Sequence, residues 1–555
     1  MFSPLKVGAG PSGLAAALTL AQNSVPVRIV DKLSEHHTSS RGSGIQPRTV
    51  EILKFLDLVE TAKKYHAGVP NFRLYKLPGG TEVVREWNIF ETFMTSPERP
   101  YVSTLDKLQY RTEAILRNEL AKFGVHVELR TEPVSMEQDA DSVTVTMKIT
   151  DEVGGENIEK IKVPYVIGSD GARGMTRKAI GASLEGETRD TDGQVWADVV
   201  IKGLDKQFWH MWSIPNKFTI SARPTFDARS FHVGVIGQNF DPKPLLSVQK
   251  FIEFFQEHTG RKDLVFDAMR MLTYWKPKVM MANKFYEGRI FITGDAAHVH
   301  PPSGGQGLNT SVQDSFNLAW KLALAYKGYA APDLLASYQA ERLPIVTRML
   351  ITTSGLYKYM VAKNAEGGDE KKSNFVEWKD QSLRMLEINF RWSPVVYDVR
   401  GTLGLGDDDL KARAYSGYPG GDVHAGDRAP SASGLVDANG VETTLFDIFK
   451  PWYHTALVFT PETEKAGAEV EKIIAALQAF PTGTVKAVVL CRQAIPKVHG
   501  GTEAYHDTNG GANKAYHIEE GAVTVIVVRP DGYVGAFVQD AEDLQKYFSK
   551  VFRSA

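Results

Sequence analysis

The sequence predicts an α/β protein in which a parallel βαβ layer is interrupted by an antiparallel β layer and followed by a further α/β unit. Three observations predict it. A strand, glycine turn, helix and strand open the chain. Two aromatic-rich, alternating stretches separate later returns of that pattern, and three β-branched runs recur near the C-terminus.

At 555 residues the chain exceeds what one hydrophobic core can organise, so about two to four packed units are expected. Shares of 43% hydrophobic and 23% charged residues are those of an ordinary globular protein and argue against long disorder. A formal charge of -2 supplies no field that would draw nucleic acid or an acidic membrane. The single cysteine, Cys491, excludes internal disulfides and a cysteine-based zinc site, and no metal site is expected. That usage suits a reducing compartment. No apolar run reaches the length of a membrane span. The first glycine turn begins at Gly8, which leaves no room for a cleaved leader, and the terminal Arg553-Ser554-Ala555 is unlike a peroxisomal tripeptide. A cytoplasmic location is expected.

The elements follow in order. Residues 5–7 read as a strand, 14–21 as an alanine- and leucine-rich helix, and 25–30 as a second strand closed by Asp31. Short apolar runs alternate with turn residues near 72–105 and 190–285, as in an antiparallel sheet. The nucleotide pattern resumes at 166–180 and 290–324. Residues 331–400 read as mainly helical, with a polar loop at 364–373, and a Gly-, Pro- and Asp-rich shift follows at 416–430. Beyond it, 455–459, 485–490 and 523–528 read as strands. The expected division is 1–71, 106–186 and 286–345 for the nucleotide domain, with 72–105 and 187–285 for the substrate layer. A helical region and linker over 346–415 then leads into a last domain, 416–555.

The chemistry begins at Gly8-Ala9-Gly10-Pro11-Ser12-Gly13. Gly8 allows the tight turn, Gly10 lets backbone approach a diphosphate, and Gly13 lets helix and strand pack closely. The helix start offers N–H groups and partial positive charge, and Asp31 stands where an acid accepts from a ribose. This is a Rossmann-type fingerprint. The first strand is short and carries Lys6 where an apolar residue is usual.

A second motif runs from Gly294-Asp295-Ala296-Ala297-His298 to Pro301-Pro302-Ser303-Gly304-Gly305-Gln306-Gly307-Leu308-Asn309. It resembles the flavin signature of the class A flavoprotein monooxygenases, the family of phenol hydroxylase and p-hydroxybenzoate hydroxylase. The resemblance implies that Asp295 holds a ribityl hydroxyl of FAD. It also implies that Pro302, Gly305, Gly307, Leu308 and Asn309 open a helix whose N–H groups face the flavin. Gly168-Ser169-Asp170-Gly171-Ala172-Arg173 with Arg177 resembles the same family's Asp-Gly motif, which implies a role for Asp170 and Arg177 toward FAD and nicotinamide. Gly174 departs from the family's serine. Arg41, Gln46 and Arg48 resemble the flavin-lining segment, and Gln109 with Glu113 the helix beside the ribityl-phosphate chain. Gly426-Asp427-Arg428-Ala429-Pro430 and Val527-Val528-Arg529-Pro530-Asp531-Gly532-Tyr533 resemble the thioredoxin-like C-terminal domain of phenol-hydroxylase relatives. With Cys491 alone that domain is redox-silent, structural or dimer-supporting, and a homodimer is expected.

The resemblance implies non-covalent FAD, NADPH or NADH as co-substrate, and O2. The implied reaction is hydroxylation of a phenolic or other electron-rich ring through a flavin C4a-hydroperoxide. Decarboxylative hydroxylation of a hydroxybenzoate, a flavin-dependent halogenase (Trp212, Ile214 and Pro215 fit part of its signature) and a silent flavoprotein are the alternatives. A phenol titrates near Tyr, at about 10, so the reaction calls for a proton acceptor. Ser43 stands where phenol hydroxylase has an aspartate. His210, His232 and Tyr274 in the substrate layer are the candidate catalytic residues, while His298 and His300 read as structural.

Overall fold

The computed structural model describes residues 3–553 other than 41, 66–67, 69, 89–93, 189–192, 215–216, 227–229, 238–239, 302, 366–380, 402, 418–420, 462–463, 493–501 and 520. Arg41, Pro302, Pro215 and most of the expected loop at 364–373 therefore lie outside the described residues.

Strand Leu5–Val7 lies inside a six-stranded sheet in the order Tyr286–Glu287, Ile290–Ile292, Val166–Gly168, Leu5–Val7, Arg28–Val30, Val127–Glu128. All neighbours are parallel except the first pair. Helix Pro11–Gln22 packs on helices Gly307–Tyr326 and Gln109–Ala121, and its small side chains allow ten consecutive buried residues, Ser12 to Ala21. An unexpected three-stranded antiparallel sheet, Thr131–Gln138, Val143–Thr150 and Glu156–Val163, lies along the chain between strands Val127–Glu128 and Val166–Gly168. Its signal is the alternation that buries Val143, Val145 and Met147.

The stretches near 72–105 and 190–285 form a seven-stranded sheet in the order Val265–Trp275, Gln194–Lys202, Ser230–Gly237, Phe218–Pro224, Phe208–Ile214, Asn71–Tyr75, Val83–Trp87. It is not wholly antiparallel, because Phe208–Ile214 and Asn71–Tyr75 run parallel. The two come from segments far apart in the chain, so no short hairpin dictates their sense. One face packs Val195, Ala197, Trp212, Ile220 and Val233 under Phe251 and Phe255 of helix Val248–Thr259. The other carries Trp196, Asp198, Trp209, Ser221, Arg223 and His232, because side chains alternate along each strand. This polar, aromatic face turns to the nucleotide layer: Ser40 N donates to Asp198 Oδ2 at 2.7 Å, and Arg223 pairs with Asp106.

The three runs expected near the C-terminus are neighbours in an eight-stranded sheet, as His454–Phe459, Val485–Cys491 and Thr524–Val528. Strand Tyr397–Asp398, from the expected linker, joins its edge beside Val534–Val538. Helices Glu464–Gln478 and Ala541–Phe548 share a core with Trp320, Leu324 and Leu334 of the preceding part. Helix Ser337–Ala365 meets the helical expectation, but residues 385–396 do not continue it. There the backbone bonds outward, Asn389 N to Ala414 O and Phe390 N to Gly426 O, and Pro394 bars a helical turn. No helix among the described residues is long and apolar enough to cross a membrane.

Candidate cofactor and substrate site

The glycine turn is shaped by what surrounds it. Gly8 has φ +90°, and a Cβ there or at Gly13 would collide with the backbone of Ser169 or of Gly8. A Cβ at Gly10 would meet no heavy atom within 4 Å, so this side of the loop is open at the start of helix Pro11–Gln22. No side chain caps that helix. Asp31 is held by backbone, accepting from Ala9 N at 2.7 Å and Leu33 N at 3.0 Å. Gln109 N donates to Gly42 O at 2.8 Å, and Gln109 Nε2 donates to Glu113, which also meets His37.

Around this cradle the expected residues differ in exposure and in what they bond. Asp295 is exposed between buried Gly294 and Ala296. Asp170 Oδ2 accepts from Thr176 N and Oγ1, at 2.9 and 2.8 Å, while Oδ1 is buried with no partner. Arg177 is a brace: its guanidinium is buried and donates to the carbonyls of Ala172 (2.8 Å) and Ala296 (3.0 Å). Gln46 and Asn309 are braces too. Asn309 accepts from Gln46 N at 2.8 Å and donates to the carbonyls of Gly44 and Gly305, while Gln46 bonds Gly304 O and Thr104. They hold segment 44–46 against the turn where Gly304 and Gly305 have φ +85° and +60°. Beyond that turn, Leu308 approaches Gly42: a Cβ there would lie 3.8 Å from the leucine side chain, while Gly307 backs onto His300. Asp314 accepts from Gly294 N (3.1 Å), His298 Nε2 (2.7 Å) and Arg342 Nε (2.8 Å). Burial opposes its charge, but Arg342 and His298 outweigh it and hold the carboxyl below the usual range. Burial pushes His300 down to about 4. Its Nδ1–H donates to Pro301 O at 2.7 Å, and Nε2 is buried without a partner.

The three catalytic candidates fall on different faces of the seven-stranded sheet. His210 is on the helix-covered face, buried, with Tyr75 OH at 2.7 Å on Nδ1 and Asp205 O at 2.5 Å on Nε2. Burial pushes it down to about 4. With both nitrogens engaged in the core it is a structural residue, which corrects its candidacy. Tyr274 pairs with Val195 and packs with the same apolar cluster, so it too faces away from the nucleotide layer. His232 lies on the facing side. Its Nδ1 meets Asp198 Oδ1 at 2.7 Å, and its ring stacks on Trp196 with centroids 4.7 Å apart and planes 13° apart.

An open glycine face at a helix start, with unpartnered Asp170 Oδ1 and His300 Nε2 on the same cradle, suits a dinucleotide carrying a polar ring system. The family described as FAD binding domain matches residues 5–353, and the phenol hydroxylase C-terminal dimerisation domain matches 468–555. The chain belongs to the FAD-dependent aromatic monooxygenases. It is 30% identical over 555 residues to a flavin-dependent monooxygenase of Mycobacteroides abscessus, covering 98% of each chain. It is 28% identical over 481 residues to pentachlorophenol 4-monooxygenase of Sphingobium chlorophenolicum, covering 84% of this chain and 82% of the other. In fold it matches the flavin-dependent monooxygenase PieE, in complex with FAD and substrate, with TM-score 0.77 at 19% identity over 99% of both chains.

Several residues of this monooxygenase were not legible as site residues in the sequence. Asp198 and Asp314 carry no local signature, because their partners lie 34 and 16 residues away. Arg48 does not line the cradle. It is buried, bonded to Glu51 at 2.6 Å and to Asp531 O of the C-terminal sheet unit at 2.7 Å. Lys6 had a signal, its unusual place in an apolar strand, and the structure buries it beneath the glycine turn.

Proposed function

We propose that this monooxygenase hydroxylates a phenolic ring held between the flavin cradle and the polar face of the seven-stranded sheet, with His232 accepting the phenol proton. The observation that carries the reading is the Asp198–His232 pair on the face that meets Ser40. Nδ1–H donation to Asp198 sets the tautomer, so Nε2 is the accepting nitrogen, and the carboxylate stabilises the imidazolium that forms. Asp198 is kept in place by Ser40 N, and the imidazole by the Trp196 ring. The Trp196 ring, half-buried on that face, offers a flat apolar surface that suits an aromatic substrate. When bound, FAD supplies electron transfer from NADPH or NADH and the activation of O2. Relatives named for pentachlorophenol and 2,4-dichlorophenol support a phenolic substrate.

Against halogenation stands Trp212, buried on the helix-covered face with its indole N–H donating to Gly80 O at 3.0 Å. We also propose a homodimer, supported by the dimerisation family over 468–555, and a cytoplasmic enzyme, supported by its one free cysteine. The proposed division keeps the sequence boundaries, with the cofactor and substrate units as 1–345 and a thioredoxin-like unit after 415.

The test is a panel of phenols and hydroxybenzoates scored for stimulated NAD(P)H oxidation, with product masses and a His232→Gln variant. A ring gaining one oxygen is expected, with turnover in the variant down by about 10²–10⁴-fold. Loss of carbon dioxide would select decarboxylative hydroxylation. No stimulation by any phenol would refute the substrate class, and full activity in His232→Gln would remove the base.

A further inference from the structure

A buried lysine lies beneath the cofactor cradle. Lys6 is the middle residue of strand Leu5–Val7, and none of it is exposed. Its Nζ donates to Ile167 O at 3.2 Å and to Ser169 Oγ at 2.5 Å. Ser169 Oγ also bonds Thr293 Oγ1 and, at 3.1 Å, Ser12 Oγ, which in turn meets Ser315 Oγ at 2.7 Å. The ammonium thus stands at the base of a hydroxyl cluster. That cluster joins the first turn of helix Pro11–Gln22 to helix Gly307–Tyr326 and to the ends of strands Val166–Gly168 and Ile290–Ile292. These elements form the cradle.

A buried ammonium is costly unless an anion is near. Asp170 is the ionisable group acting on Lys6 among the described residues. The flanking strands pair it with Ile29 and Ile167, and the helix presents Gly13 and Ser12. Burial outweighs Asp170 and draws the amine well below its ordinary 10.5. A diphosphate at the helix start would place further negative charge across the hydroxyl layer from it.

We propose that Lys6 is the charge-matching residue for the FAD diphosphate, keeping its proton to higher pH in the complex than in the cofactor-free protein, with Ser169 and Ser12 linking it to the ligand. This rests on the assignment of the cradle to FAD. Lys6 acts through the hydroxyls, as a positioning residue. FAD raises its proton affinity, so binding takes up a proton between the depressed value of the free protein and the higher one of the complex. Through that window FAD affinity falls as pH rises, by at most about tenfold per pH unit.

The experiment titrates FAD into cofactor-free protein by calorimetry across pH, in buffers of different ionisation enthalpy, for wild type and Lys6→Met. Methionine keeps the stem volume in a buried strand. Wild type is expected to take up to one proton more per FAD than the variant. The variant should lose the pH dependence and, below the window, bind FAD about tenfold more weakly or worse. The cofactor-free variant should melt no lower than wild type, since a buried amine has gone. A lower melting temperature with an unchanged proton count would mean that Lys6 only packs, and would overturn the proposal. Wild-type binding without proton uptake at any pH overturns it however the variant folds, and leaves the FAD site intact. Wild type that cannot be loaded with FAD overturns both.

Discussion

At residue scale, Asp198 and His232 meet because they are register partners on neighbouring strands, and Trp196 fits over His232 because its own partner is Gly234. A Cβ at Gly234 would stand 2.5 Å from the Trp196 ring. Gly234→Ala should therefore displace the indole and loosen the imidazole. Turnover should drop while FAD titration is unchanged, and a parallel loss of FAD would contradict this division of labour. The cradle gives a contrasting pair. Asp295→Ala removes an exposed acceptor and should weaken FAD binding by about 1.5–3 kcal/mol, roughly tenfold to over a hundredfold, with little change in melting temperature. Asn309→Ala unties two loops, so it should lower both FAD affinity and melting temperature. Fluorescence titration and calorimetry of both variants check it, and identical behaviour would erase the distinction between ligand and brace.

At the scale of elements, helix Pro47–Phe55 links the cofactor loop to the C-terminal unit. Gln46 stands at its start, and Arg48 in its first turn bonds Asp531 O and stacks over the Tyr533 ring at 4.5 Å. Glu51 bonds Arg48 and Arg428, and all of these charges are buried. Breaking one member leaves an uncompensated buried charge. Arg48→Met should cost about 3–5 kcal/mol in chemical denaturation and weaken FAD binding as well, because the loop bearing Gln46 loses its anchor. Normal FAD affinity in a destabilised Arg48→Met protein would show that the helix is anchored elsewhere.

For the whole molecule, the C-terminal unit is continuous with the rest in packing and charge. Arg529 donates to Glu341 at 2.7 and 2.9 Å, Lys321 reaches Glu341 at 2.8 Å, and Asn317 reaches Asp531 at 3.0 Å. The family name of this region points to dimerisation, whereas these contacts lie within one chain. A chain ending after 415 would uncover Trp320, Leu324 and Leu334 and leave Glu341 without Arg529. It should aggregate or purify without FAD. A truncated chain that stays monomeric, yellow and thermally unchanged would confine the unit to dimer formation.

What the sequence determined by itself was whatever depends on near neighbours. The turn Gly8 to Gly13, the alternation of the strands in the seven-stranded sheet and the C-terminal strands are legible because turn geometry and side-chain period act over a few residues. Alternation marked these stretches as strands, but not which face would be covered by a helix. Only the tertiary structure placed His232 on the opposite face from His210 and Tyr274, since that depends on where helix Val248–Thr259 and Ser40 settle. The same holds for the carbonyl partners of Arg177, Asn309 and Arg48, which lie far from them along the chain. Hydrogen bonding and burial act at contact distance, and contacts spanning 119 to 483 residues leave no mark on the local pattern.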